Sequence, residues 1–187
     1  MKAPRFNFDK DHKLWMACDT KNGFHLGLEF IHFKGGYAYA SDAHILVRVP
    51  LNAFCGFADE DDKEKLDGFS VHWKVYKKII SYDTAFVYRE DPTCIIKVEL
   101  EGHRIEFSLV PSALIAGVPD FESVLKSRDN EQTKMVGISP SELSRLSAAL
   151  NLNAAGLNLC GERGSIIVRN VDDFGIGLIM PKMMREE

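Results

Sequence analysis

Residues 134–160, KMVGISPSELSRLSAALNLNAAGLNLC, read as a short strand, a helix and the opening of another strand. Lys134–Ile138 is the first strand. Ser139-Pro140-Ser141-Glu142 has the pattern of a capping box, with proline at the first helical position, where a missing N–H is harmless. Leu143, Leu146 and Leu150 share one helical face, and the helix stops near Asn153. Strands follow at about 155–160, 165–169 and 174–180, with Gly161-Glu162-Arg163-Gly164 as a hairpin turn.

The pattern recurs upstream at an offset of 71 residues. Phe86 and Tyr88 fall on Leu157 and Leu159, Ile95 and Ile96 on Ile166 and Ile167, and Ile105 and Phe107 on Ile176 and Leu178. Val75 and Ile79 meet Leu146 and Leu150, both pairs spaced as on a helix face. This second unit predicts a helix over Trp73–Ser81 and strands near 84–89, 94–100 and 103–109, turned by Glu101-Gly102. A fainter copy, 58 residues earlier, predicts strands near 26–33, 37–40 and 45–49, with Asp11–Cys18 as a short helix or a strand. Each copy ends on an apolar residue and proline: Val49-Pro50, Val110-Pro111 and Met180-Pro181. Proline suits a strand end because it cannot donate to the ladder. The expected fold is therefore α+β, three repeats of strand, helix and three strands. Ala58–Asp67 and Ser127–Thr133 are the expected connections.

Composition narrows the function. The chain has 187 residues, 45% hydrophobic and 27% charged, an ordinary globular balance. No apolar run approaches the roughly 20 residues that span a bilayer, and the N-terminus lacks the apolar stretch of a signal peptide; the expectation is a cytoplasmic protein. Cys18, Cys55, Cys94 and Cys160 form no CxxC pair and are read as reduced. The histidines form no HExxH or i,i+4 pair, so neither metal nor cofactor is expected. A formal net charge of −4 argues against a uniformly basic nucleic-acid binder, although local potential rather than net charge steers DNA.

Three further segments carry a resemblance. Tyr39-Ala40-Ser41-Asp42-Ala43-His44-Ile45-Leu46, Pro119-Asp120-Phe121-Glu122-Ser123-Val124-Leu125 and Ile179-Met180-Pro181-Lys182-Met183 resemble, in order, three motifs of the bacterial DNA sliding clamp, the DNA polymerase III beta subunit. The resemblance implies a DNA-clamp fold in shortened form. Residues 1–125 look like one two-unit clamp domain, and 126–187 like the closing half of the next. A clamp subunit carries six such units and closes as a dimer, so a shorter chain implies a homo-oligomer if it closes a ring.

The resemblance also implies a site. Clamps receive a short apolar peptide from polymerases and the clamp loader in a groove, and the matching positions here are Ser41, Leu46, Pro119, Val124, Met180 and Pro181. Proline, leucine, valine and pliable methionine suit the burial of anchor side chains. Ile45 replaces the family arginine and Ala43 its glycine; Lys182 and Met183 replace its methionine and arginine. Clamps also face non-specific double-stranded DNA with basic helices, and the candidates here are Lys74, Lys77, Lys78 and Arg145. Asp42 and His44 invite an acid–base reading. An aspartate at a turn more often bonds nearby amides, and neither residue comes with a nucleophile motif, so binding rather than catalysis is expected. The expected function is a clamp-like DNA scaffold that recruits replication or repair proteins. The alternative is a clamp-fold interaction module that binds peptides without encircling DNA.

Overall fold

The computed structural model describes residues 5–21, 25–57, 64–82, 85–100, 103–126, 136–159, 164–170 and 175–182. Strand β1 (Arg5–Phe8) leads through two 3-10 turns, Leu14–Ala17 and Leu26–Glu29, into the meander β2 (Phe30–Lys34), β3 (Tyr37–Ser41) and β4 (Ile45–Pro50). Helix α1 (Leu51–Phe54) and strand β5 (Cys55–Phe57) follow. Next come β6 (Phe69–His72), α2 (Trp73–Ile79), β7 (Ala85–Glu90), β8 (Thr93–Leu100) and β9 (His103–Pro111). Last in chain order are α3 (Phe121–Lys126), α4 (Pro140–Leu150), β10 (Ala155–Leu159), β11 (Ile166–Asn170) and β12 (Ile176–Ile179).

The strands form one 12-stranded sheet in the order β10-β11-β12-β4-β3-β2-β6-β9-β8-β7-β1-β5. Two seams join its parts. At one, β12 lies antiparallel to β4, with Ile179 opposite Ile45 and Leu178 opposite Leu46. At the other, β6 lies antiparallel to β2, with Ser70 opposite His32.

Strand alternation divides the core. Ile45, Val47 and Val49 of β4 point into the main cluster, with Tyr76 and Ile79 of α2 and Leu146, Ala149 and Leu150 of α4. Leu46 points the other way, into a smaller cluster with Tyr39, Phe121, Leu125, Ile167 and Leu178. Helix α4 lies close on β12: a Cβ on Gly177 would sit 2.6 Å from Leu146 Cδ1. Full burial of a leucine such as Leu146 contributes about 1.5–3 kcal/mol.

Some expectations need correction. Residues 26–29 form a 3-10 turn rather than the start of a strand, because His32 Nε2 lies 2.7 Å from Gly27 O and takes that carbonyl away from any ladder. Helix α4 begins where expected, but not through a capping box. Ser139 makes no side-chain cap and instead lies 3.0 Å from Ser141, while Glu142 turns inward and is buried. Asp11–Cys18 holds a 3-10 turn, Leu14–Ala17. Of the strand expected at Lys134–Ile138, the described part makes one bridge, Gly137 to Lys182. The turns at Glu101-Gly102 and Gly161–Arg163, the connection 127–133, most of 58–67, Cys160 and Met183 lie outside the described residues. Cys18, Cys55 and Cys94 are buried free thiols, and loss of solvent pushes that of Cys94 up to about 12. Among the described residues no helix is long and apolar enough to cross a membrane.

Candidate partner-docking groove

The turn Ser41–Ile45 is built from its own side chains. Asp42 Oδ1 accepts the N–H of His44 at 3.0 Å and of Ile45 at 2.9 Å. Ser41 Oγ donates to Ile45 O at 2.8 Å. Ala43, held by these bonds, sits at φ +73°, where an L-residue is strained. Asp42 Oδ2 also accepts from Arg145 of α4 at 2.7 Å, and Arg145 Nε donates to Met16 O. Asp42 therefore organises a turn and anchors a helix.

Helix α3 covers the sheet face opposite α4. Phe121 stacks on Tyr39 with centroids 5.2 Å apart. Glu122 Oε1 accepts from Tyr39 Oη at 2.7 Å and from Arg48 Nη1 at 3.0 Å. Burial first, then the bond to Glu122, pushes the Tyr39 phenol above its ordinary value, so it stays a donor.

Between α3, the turn and the end of β12 opens a mainly apolar cavity of about 330 Å³. Ser41, Leu46, Pro119, Val124 and Met180 all line it. Pro181 follows Met180 in the chain but is not part of the lining. Leu46 is buried, whereas Val124 is 43% and Met180 46% exposed, so the floor is fixed and the rim open. Met180 N donates to His44 O at 2.9 Å, which ties the rim to the turn. Ala43, His44 and Ile45 of the turn line it as well, and His25, Leu28, Gly117 and Leu178, which were not foreseen, complete the wall. Leu178 could have been found only by knowing that it faces Leu46 across the β4–β12 seam. Gly27 meets Gly117 backbone so closely that a Cβ would lie 2.5 Å from Gly117 O, which sets the wall behind Leu28.

Lys74, Lys77 and Lys78 are exposed on α2. Lys77 lies over the Trp15 ring at 4.4 Å and Lys74 over Trp73 at 5.4 Å. Arg145 departs from the expectation of a free basic contact: its guanidinium is committed to Asp42 and Met16, beside a more polar cavity of about 370 Å³ that His44 also borders.

Bacterial DNA polymerase III beta subunits superimpose on nearly the whole chain. That of Thermotoga maritima gives a TM-score of 0.62 at 12% identity, covering 98% of this chain and 66% of its own. The Streptococcus pyogenes subunit gives 0.60 at 12%, covering 98% and 67%. The Helicobacter pylori beta clamp, solved with a DNA ligase peptide, gives 0.61 at 12%, covering 98% and 66%. The fold is that of a sliding clamp. The chain spans about two thirds of the length of the clamps it matches. No family model and no curated sequence matches it, so the likeness to clamps is carried by structure.

Proposed function

We propose that this chain is a clamp-type scaffold that recruits partner proteins by burying short apolar peptide segments in the groove above β4 and β12. One observation carries the reading: five residues picked out by three separated sequence motifs surround a single cavity. The geometry suits the task, with Leu46 and Leu178 as a rigid floor and Val124 and Met180 as an open rim. Each leucine or phenylalanine anchor contributes about 1.5–3 kcal/mol, so two anchors give a weak, exchangeable contact. The H. pylori clamp, with its ligase peptide, is the precedent in the fold.

The same scaffold is proposed to lie on double-stranded DNA through Lys74, Lys77 and Lys78, by salt-sensitive phosphate contacts that read no bases. It works as an oligomer, in the cytoplasm, without catalysis. Residues 1–125 form its two-unit body and 126–187 a further half. A second reading, an interaction module that does not encircle DNA, is favoured by the engagement of Arg145 with Asp42 and by the net charge of −4.

Fluorescence anisotropy with a labelled clamp-loader or polymerase peptide carrying Leu and Phe anchors tests the groove. Val124→Asp and Met180→Glu, both at exposed positions, are expected to weaken binding by about 10–100-fold, the loss of one anchor, with melting unchanged. Wild-type affinity in both variants would refute the assignment. Retention on circular but not linear DNA separates the scaffold from the module.

A further inference from the structure

The sheet face that floors the groove carries two arginines a short way from it. Side chains alternate along β12, so Leu178, in the groove, and Ile176, two positions back, point to the same side. Ile176 lies opposite Arg48 of β4 on one side and opposite Arg169 of β11 on the other. Two guanidinium side chains therefore flank one isoleucine in a row across three strands, their Cα atoms about 10 Å apart at the usual strand spacing. Both border a cavity of about 130 Å³. Leu178 lines this cavity as well as the groove, so the two adjoin.

The two arginines differ in what they hold. Arg48 Nη1 donates to Glu122 Oε1 at 3.0 Å, and its guanidinium lies over the Tyr37 ring at 4.8 Å. Glu122, the one carboxylate in the lining, is thus answered by Arg48 and also accepts from Tyr39. Arg169 is half-buried, and no carboxylate among the described residues pairs with it. The lining keeps one uncompensated positive charge above an apolar floor of Ile167, Ile176 and Leu178. A guanidinium offers five N–H donors, and an apolar surround strengthens any charge-assisted bond it makes.

We propose that this cavity receives a carboxylate of the partner segment that fills the groove, an aspartate or glutamate side chain paired with Arg169. The spacing sets where that residue stands. From Leu178 to Ile176 is about 7 Å, or roughly two residues of extended chain, so the acidic side chain lies about two residues beyond an apolar anchor seated on Leu178. The preferred partner is therefore an apolar segment with an acidic flank. With a formal net charge of −4 the chain as a whole disfavours acidic partners, so the preference comes from the local field of Arg169 and Arg48. The inference rests on the groove reading and adds to it a residue, Arg169, that selects among peptides.

Fluorescence anisotropy of the full chain tests it with two labelled peptides that share Leu and Phe anchors. One carries glutamate about two residues before the first anchor and the other about two residues after the last, each measured beside a twin with glutamine there. One glutamate peptide is expected to bind about fivefold tighter than its twin, the contribution of a half-buried ion pair, and the advantage should shrink as salt is added. Arg169→Gln is expected to abolish the advantage and to leave the glutamine twins binding as before, which also reports a folded groove. Arg169→Glu is expected to turn the preference towards a lysine twin. Equal affinities of glutamate and glutamine peptides at both positions would overturn the inference, as would an advantage that survives Arg169→Gln. In those cases the glutamine twins still bind and the groove stands; if no anchored peptide bound at all, the groove reading would fall and this inference with it.

Discussion

Strands β7 and β10 each follow a helix and open a run of three strands, yet they live in different surroundings. Under the cover of β1, strand β7 buries Ala85 and Val87. Strand β10, at one end of the sheet, is exposed along its whole length. The comparison teaches that a strand in this sheet is only half provided for by its own meander. Its second edge comes from elsewhere in the sequence, as β1 does for β7.

The largest expected effect tests that difference directly. Val87→Asp places a carboxylate at a position only 1% exposed and should destabilise the fold by more than about 3 kcal/mol. Leu157→Asp, in β10, should cost less than about 1 kcal/mol in dilute solution, because its side chain can reach water. Urea unfolding of both variants at low protein concentration measures the gap. Equal losses would show that β10 is already covered within one chain, and the contrast would be gone.

A smaller effect concerns how a covered edge is held. At the β2–β6 seam His32 Nδ1 lies 2.8 Å from Ser70 Oγ, which in turn lies 2.7 Å from Ser112 Oγ, while Nε2 holds Gly27 O. Burial lowers the pKa of His32, partly offset by the bond to Gly27. The unfolded chain therefore binds a proton at a pH where the folded chain does not. Stability from this residue is full above the ordinary value of about 6.5 and falls as pH drops from there towards the folded value. The urea midpoint should fall between pH 7.5 and 5.5, and His32→Gln should flatten that slope. His12 with Asp9 and His72 with Glu29 are common to both proteins, so the difference isolates His32. Identical slopes would remove the seam from the account.

What the sequence made legible follows from the range of the forces involved. Helix α2 and the strands β7 to β12 were placed within a residue or two, and α4 began at Pro140 as expected but ended at Leu150 rather than near Asn153, because apolar periodicity and proline act locally. The groove residues were legible as motifs. What was hidden depended on partners distant in sequence: the 3-10 turn at Leu26–Glu29 exists because His32 captures Gly27 O, and Leu178 reaches the groove only because β12 docks on β4. Glu142 looked like half of a capping box, but it points inward, where Lys182 Nζ approaches it at 3.3 Å. Arg145 looked free for phosphate until the fold brought Asp42 beside it. The short helix α3 was missed because Phe121–Lys126 has too few turns to show periodicity.

The smallest effect lies in the turn that carries the groove. Ala43 holds φ +73° where clamps have glycine, a conformation that costs an L-residue roughly 1–2 kcal/mol. Glycine removes that strain but gains freedom in the unfolded chain worth about 0.4–1 kcal/mol. The net for Ala43→Gly is a stabilisation of up to about 1.5 kcal/mol, readable as a slightly higher urea midpoint. Asp42, which holds the turn through two amides and Arg145, keeps the geometry in either case, so any change in peptide affinity reports the loss of the Ala43 methyl from the cavity that Ala43 lines. A loss of stability would mean that Ala43 is not strained in solution and that the turn differs from the one described. Were affinity to change while stability rose as expected, Ala43, which lines the cavity, would be a determinant of which peptides fit.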